Sequence, residues 1–449
     1  MHIQLVCPAS EDSAHLRSLA VAILARLTPD DVELSLVDDI VRRIDSTRDI
    51  NGRADLAAIT VSTKTAARAY ELAAAYRQRG VKVVLGGIHP TALPDEALEH
   101  CDAVVVGEAE GLWERVVADA RRGALERIYR HDTWPDFRTP PRPKRSVFPS
   151  RGYAPIQTVQ TSRGCPFTCE FCSVTPFFGR TLRQRDPVDV AEEFASLGHG
   201  IVLFADDNIA GYGERSRALF RELAHVKRMW VGQASLQGIQ DPETLKLMAA
   251  SGCHGLFIGF ESVDRATLVA CGKRQNDPEE YLNAVRRLHD HGIAIWASFV
   301  FGFDEDTPGV FESTVEFARK AGLFMASFGV LTPYPGTRLY ARLQAEGRLD
   351  DDHWWLHDRR DGYPFFRPKG MSTEQLFEGW QNAWKGFYSG SSILERLREA
   401  PWTSWISAAS YLPINLYQRR LTRDKIVGGH RFFVRDRHAD EAGGTRPHA

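Results

Sequence analysis

Residues 161–174 read TSRGCPFTCEFCSV, placing Cys165, Cys169 and Cys172 in a Cys-x3-Cys-x2-Cys spacing with Phe171 just before the last cysteine. Thiolates are soft ligands that suit iron–sulfur clusters, and a tight loop can wrap three of them round one cube. Three ligands for four irons leave one iron open, free to chelate the amino and carboxylate groups of a second molecule. A structural zinc site is the alternative. It needs four protein ligands, and with no second Cys-x2-Cys pair the fourth would have to come from Cys253 or His254.

The loop follows a strand, and the chain around it alternates strand and helix. Strands are predicted at Ile156–Gln160, Ile201–Ala205, Trp230–Ser235, Leu256–Phe260, Ile295–Phe301 and Ala326–Leu331. Six βα units make a curved parallel sheet or partial barrel, with active residues at the strand C-terminal ends. Upstream, Asp132–Pro155 is rich in Pro and Arg and reads as a linker crossing the surface. Before it lie strand candidates Ile3–Cys7, Glu33–Val37, Ala57–Ser62, Lys82–Leu85 and Ala103–Val106. Ala66, Tyr70, Ala73 and Ala74 mark a helix ending at Gly80. This portion reads as a flavodoxin-like, Rossmann-type α/β domain, with ligands at the carboxyl ends of its strands. The expected division is 1–131, a linker 132–155, a barrel domain 156–345, a helical region 346–437 and a disordered tail 438–449. Trp354, Trp355, Phe365, Phe366, Trp384, Phe387 and Tyr388 make the helical region aromatic. They either cover the barrel mouth or form a small core of their own.

Composition narrows the setting. Of 449 residues, 56 are Lys or Arg and 58 Asp or Glu, so nothing suggests a polyanion-binding surface, and nucleic acid is not an expected partner. The N-terminus MHIQLVCPASEDSAH has no signal-peptide pattern, and no stretch is long and apolar enough to span a bilayer. Seven cysteines, an odd number, fit reducing conditions and metal ligation better than a disulfide framework. A cytoplasmic protein is expected. Residues 402–421 combine apolar, aromatic and basic character and could lie on a membrane surface, although Pro413 should interrupt a long helix there.

The Cys-x3-Cys-x-aromatic-Cys loop after a first strand resembles the signature of the radical S-adenosylmethionine (SAM) superfamily, a likeness running from about Thr158 to Thr337. The resemblance implies that the three cysteines bind a 4Fe-4S cluster and that Phe171 lies against adenine. FADDN (Phe204–Asn208) falls where relatives hold the methionine end of SAM, pointing to Asp206 and Asp207. GFES (Gly259–Ser262) falls where they contact methionine or ribose, pointing to Glu261 and Ser262, with Gln233 one strand earlier. FVFGFDEDT (Phe299–Thr307) and LTPYPGT (Leu331–Thr337) resemble the following strand and the barrel exit. Each has a plainer reading: the aspartates could cap the next helix, the glycines serve turns, and Gln233 be a satisfied core amide.

The first domain resembles the cobalamin-binding module of cobalamin (B12)-dependent radical SAM enzymes. The likeness rests on VSTKT (Val61–Thr65), VVLGGIHPT (Val83–Thr91) and VVVGEAEG (Val104–Gly111). It implies cobalamin contacts from Ser62, Thr63, Thr65, Gly86, Gly87, His89 and Glu108. Gly86 and Gly87 would let a bulky planar ligand reach the backbone. The Asp-x-His-x-x-Gly motif that supplies an axial histidine elsewhere is absent, and His89, before Pro90 in a turn, suits hydrogen bonding better than axial ligation. A Rossmann dinucleotide site would need Gly-x-Gly-x-x-Gly where the chain has CPASED, and a methylthiotransferase would need three more early cysteines.

The resemblance implies a C-methyltransferase. A reduced cluster cleaves SAM, the resulting radical takes hydrogen from an unreactive carbon of a small-molecule or lipid-like substrate, and cobalamin delivers methyl. A flavodoxin or ferredoxin would be the electron donor. No side chain is singled out as an acid or base. The alternatives are the same architecture performing cyclisation, ring rearrangement or oxidation, and, more distantly, a cobalamin-binding sensor, which would need no open iron.

Overall fold

The computed structural model describes residues 1–10, 15–46, 48–50, 52–357, 362–399 and 405–423; the expected tail 438–449 lies outside them. Two six-stranded sheets, each wholly parallel, organise the chain. The first holds β1 (His2–Cys7), β2 (Glu33–Asp38), β3 (Leu56–Thr60), β4 (Lys82–Gly86), β5 (Ala103–Val106) and β6 (Ile128–Arg130) in the order β2-β1-β3-β4-β5-β6. This is the expected flavodoxin-like order with one strand added. The three-residue β6 is too short to show a period, and its pairing with β5 makes it a strand. Apolar clusters lie on both faces, one around Tyr70, Leu72 and Leu85, the other around Val21, Trp113 and Tyr129. That is why β3 is buried almost throughout rather than alternating.

The second sheet runs in chain order through β7 (Ile156–Val159), β8 (Ile201–Phe204), β9 (Trp230–Ala234), β10 (Cys253–Glu261), β11 (Ala294–Phe301) and β12 (Met325–Val330). All six expected strands form, and within the described residues β7 and β12 do not pair, so the barrel is partial. One face is buried under helices: Trp230 stacks on Phe220 of the helix Glu214–Ala224 with ring centroids 5.8 Å apart. The other face, with Leu203, Val231, Phe257, Trp296 and Val300, is half-buried and lines the lumen.

The aromatic C-terminal region does not form a separate core. Trp380, Trp384, Phe387 and Tyr388 extend the barrel core at its open edge. Trp380 and Trp384 both donate to the Phe328 carbonyl, at 2.6 and 2.9 Å, and the Tyr388 hydroxyl donates to Ala326 O at 2.9 Å. These side chains satisfy carbonyls that β12 would otherwise present unpaired. Trp354 and Trp355 instead pack against the first domain. The helix Trp405–Arg423 runs through Pro413 without a break, contrary to expectation, and none of the described helices is long and apolar enough to cross a membrane.

The linker is more than a spacer. Lys144 N donates to Ala22 O, Arg145 reaches Thr158 O, and Phe137 and Phe148 are buried, so it is pinned to both sheets.

Candidate cofactor sites

The cysteine loop leaves β7 at the C-terminal edge of the second sheet. Gly164 takes φ 88° because the Thr181 carbonyl occupies the space a Cβ would need. Cys165 N donates to Gly179 O at 3.3 Å and Cys172 N to Cys169 O at 3.3 Å, curling the loop on itself. Glu170 N donates to Cys271 O at 3.0 Å, and the Glu170 carboxylate pairs with Arg342 at 2.8 Å. The three thiols are half-buried and free. Burial pushes all three up, Cys172 to about 11, and Cys172 also feels the charges of Cys169 and Cys165, so the three face one another. Among the described residues no three Cys, His, Asp or Glu converge as ligands of one ion. Three thiolates on different corners of a cube stand further apart than that. Cys253 and His254 begin β10, whereas Glu261 ends it beside the loop, about 25 Å away at ~3.3 Å per strand residue. The zinc alternative loses its fourth ligand. Cys271 is nearer, but its thiol turns to the Leu268 carbonyl.

The expected SAM residues divide into two groups. Asp207 is half-buried, and the one hydrogen bond its carboxylate takes is from its own backbone. Burial and then Asp206 push its carboxyl up to about 6, and its charge reaches Cys165 and Cys172. Phe171 stands edge-on to Phe303 at 5.8 Å, and Gln233 is exposed on the lumen face of β9. The others are committed within the protein. Asp206 is buried and accepts from Thr161 N, Thr161 Oγ1 and Ser162 Oγ, bracing the strand end that carries the loop. Ser262 Oγ accepts from Asp264 N at 3.1 Å, and Glu261 is paired with Lys273. Tyr212, Lys273 and Gln275 were not anticipated. The Tyr212 hydroxyl is buried without a partner beside Cys165 and Asp207, and Gln275 Nε2 lies 4.0 Å from Cys169 Sγ. An orphaned hydroxyl, a largely unpaired carboxylate and three thiols in one place fit a cluster with a polar cosubstrate.

The second site lies between the sheets. A cavity of about 300 Å³ is bounded by Leu19–Leu24, the strand ends Ala58–Thr60, Val84–Gly87 and Val105–Glu110, and, from the other domain, Gln160, Arg163, Phe177, Phe178 and Ala205. Glu108 and Glu110 clamp Arg163 at 2.5 and 2.7 Å, Glu108 also binds Arg183, and the Arg163 guanidinium lies 4.3 Å over Phe137. Of the residues that the resemblance assigns to cobalamin, Gly86, Gly87 and Glu108 line this cavity. Ser62, Thr63 and Thr65 do not: Ser62 and Thr65 close a capping box on each other, and Thr60 stands in the wall instead. His89 does not either. Its fully buried ring bonds Tyr70 at 3.1 Å and Glu96 at 3.0 Å and meets Trp355 edge-on, which removes it from axial ligation. Gly86 leaves the backbone open to a bulky ligand at the rim, and the apolar slot, at about 300 Å³, has room for an apolar arm of such a ligand rather than for all of it.

Residues 159–318 match the model of the radical SAM superfamily, residues 14–117 that of the B12 binding domain, and residues 337–404 a domain of unknown function (DUF4070). The chain is 32% identical over 82% of its length, and 82% of the relative's, to bacteriochlorophyllide d C-12(1)-methyltransferase of Chlorobaculum tepidum. It is 30% identical to the C-8(2)-methyltransferase of the same organism, covering 75% of this chain and 78% of that one. Among solved structures, the radical S-adenosylmethionine methyltransferase TsrM from Kitasatospora setae, with cobalamin and a 4Fe-4S cluster bound, superimposes with a TM-score of 0.71 at 16% identity, covering 95% of this chain and 99% of that one.

Proposed function

The chain belongs to the cobalamin-dependent radical SAM methyltransferases, and from that premise we propose that it methylates an unactivated carbon of a flat, apolar small molecule held in the barrel lumen. The observation that carries this is a shared wall: Arg163, two residues before Cys165, also bounds the cavity between the sheets. When bound, the cluster with SAM supplies hydrogen abstraction and cobalamin carries the methyl group.

The chain's own residues do the rest. Cys165, Cys169 and Cys172 would hold the cluster as three thiolate ligands, one fewer than its irons, which would leave a place for SAM. Asp207, ionised above pH about 6, suits the cationic amino group of SAM, and Tyr212 offers a hydroxyl beside it. Asp206 acts at one remove, fixing Thr161 and Ser162. Gly86 would leave room for cobalamin, and Glu108 with Arg163 ties that wall to the residues that lead into the cysteine loop. Phe257 and Trp296, 5.5 Å apart and edge to face, supply aromatic surface in the lumen with Gln233 and Ser298 as polar points. That lining is why a flat substrate is favoured, in keeping with relatives named for bacteriochlorophyllide d.

Pro166 and Thr168 expose the cluster loop, with Arg338 donating to Thr168 O and Arg274 exposed nearby, so an acidic one-electron donor such as a flavodoxin or ferredoxin is the proposed partner. A reducing cytoplasm suits this loop. The proposed domain limits stay at 131, 155, 345 and 437. The test is anaerobic reconstitution with labelled SAM and cellular extract, read by mass spectrometry. A product gaining one labelled methyl group is expected, whereas a cyclised, rearranged or oxidised product without it would return the alternative reading.

A further inference from the structure

One buried charge near the cluster loop takes no part in the roles above. Lys273 Nζ lies 2.5 Å from Glu261 Oε1, with the two side chains only 12% and 9% exposed. Taking an ammonium and a carboxylate out of water costs several kcal/mol per ion before their attraction is counted. The pair is packed so closely on Gly259 that a Cβ there would come within 2.6 Å of Lys273 Nζ. Glu261 is held at φ 63°, a left-handed conformation that non-glycine residues seldom take, where β10 shifts register against β11. Desolvation and backbone strain thus fall at one point.

That point is the Cys169 corner of the loop. The segment Cys271–Gln275 is laid over residues 168–170. Glu170 N donates to Cys271 O at 3.0 Å, and Gly272 sits so close that a Cβ would lie 2.8 Å from Thr168 O. Gln275 Nε2 reaches Cys169 Sγ at 4.0 Å, and the Lys273 charge acts on Cys169 and Cys165. Net charge and hydrogen bonds to the sulfurs set the potential of such clusters. Reduction adds one negative charge, which a neighbouring ammonium and a donor aimed at the thiolate both stabilise.

We propose that Lys273 and Gln275 are positioning residues that raise the reduction potential of the cluster through Cys169, with Glu261 anchoring the ammonium and moderating its charge. This rests on the cluster reading of Cys165, Cys169 and Cys172. The test is a dye-mediated redox titration of the reconstituted full chain, read by electron paramagnetic resonance with iron and sulfide measured on the same samples. Lys273→Met should shift the midpoint to more negative values at full iron content, Lys273→Arg should return most of that shift, and Gln275→Leu should move it less in the same direction. An unchanged midpoint in the loaded Lys273→Met protein overturns the proposal. So does weakened SAM binding without a shift in potential, which would assign the ammonium to the cosubstrate. Should the methionine variant fail to load iron, Gln275→Leu decides, and an unmoved midpoint there overturns the proposal. A wild-type chain that takes up no cluster would instead remove the cluster reading itself.

Discussion

Gly86 and Gly87 are neighbours that are glycine for different reasons. Gly87 sits at φ 115°, and a Cβ would lie 2.6 Å from the Val61 carbonyl, so the backbone itself requires it. At Gly86 a Cβ meets Val105 at an ordinary 3.7 Å, and the residue lines the cavity. Gly87→Ala should therefore destabilise the first domain by about 1–3 kcal/mol in denaturant unfolding. Gly86→Val should leave unfolding nearly unchanged but weaken cobalamin binding on the order of tenfold or more, about 1.4 kcal/mol, by equilibrium dialysis. Asp207 yields a prediction in pH. Burial, then Asp206, raises its carboxyl to about 6, so it is an anion at pH 7 and neutral well below 6. SAM affinity should fall as pH drops through about 6, and Asp207→Asn should be weak and flat across that range in calorimetry. Because the raised value means that the empty fold prefers the protonated form, this variant should be no less stable than wild type at pH 7.

At the scale of elements, an ion cluster at the cavity ties the two sheets together. Arg163 and Glu108 are 5% and 4% exposed, and Arg163 also holds Glu110. Removing the guanidinium leaves Glu110 uncompensated and Glu108 with Arg183 alone, the kind of change that costs about 3–5 kcal/mol. Arg163→Met should lose about that much in urea unfolding, and adding Glu110→Gln should recover part of it. The strands themselves were legible because β8 to β12 alternate or run apolar between clear stops. β6 was not, since Ile128–Arg130 is a strand only through its pairing with β5. The aromatic residues after Gly336 were legible as core, but not which core. Trp354 and Trp355 went to the first domain and Trp380 and Trp384 to the free edge of β12, destinations set by partners hundreds of residues or a whole sheet away.

For the whole molecule the decisive feature is that the cavity proposed for cobalamin is made by both domains, while the cysteine loop is complete within one. Residues 1–155 alone should bind cobalamin more weakly than the full chain, because Gln160, Arg163, Phe177 and Phe178 are missing from the wall. Protein purified without cobalamin but with its cluster rebuilt should still cleave SAM to 5′-deoxyadenosine and form no methylated product. Added methylcobalamin should restore the product, as chromatography coupled to mass spectrometry would show. Normal product at full rate without cobalamin would contradict the methyl-transfer assignment.

What the sequence alone determined is what depends on neighbours along the chain: the Cys-x3-Cys-x2-Cys loop, the βα rhythm and the glycine pair. Ligand spacing and strand period are short-range properties, written in a few consecutive residues. What only the tertiary structure decided is which polar groups remain free for a ligand. Asp206 and Asp207 are adjacent and chemically identical, yet one is spent on Thr161 and Ser162 and the other faces the thiols. His89 reads as a candidate ligand until Tyr70, Glu96 and Trp355 enclose it. Lys273 stands in no motif of the sequence, and only the fold shows Glu261, twelve residues earlier, drawing it against the cysteine loop. A side chain's availability is set by contacts between segments distant in sequence, and those exist only once the sheets have closed on one another.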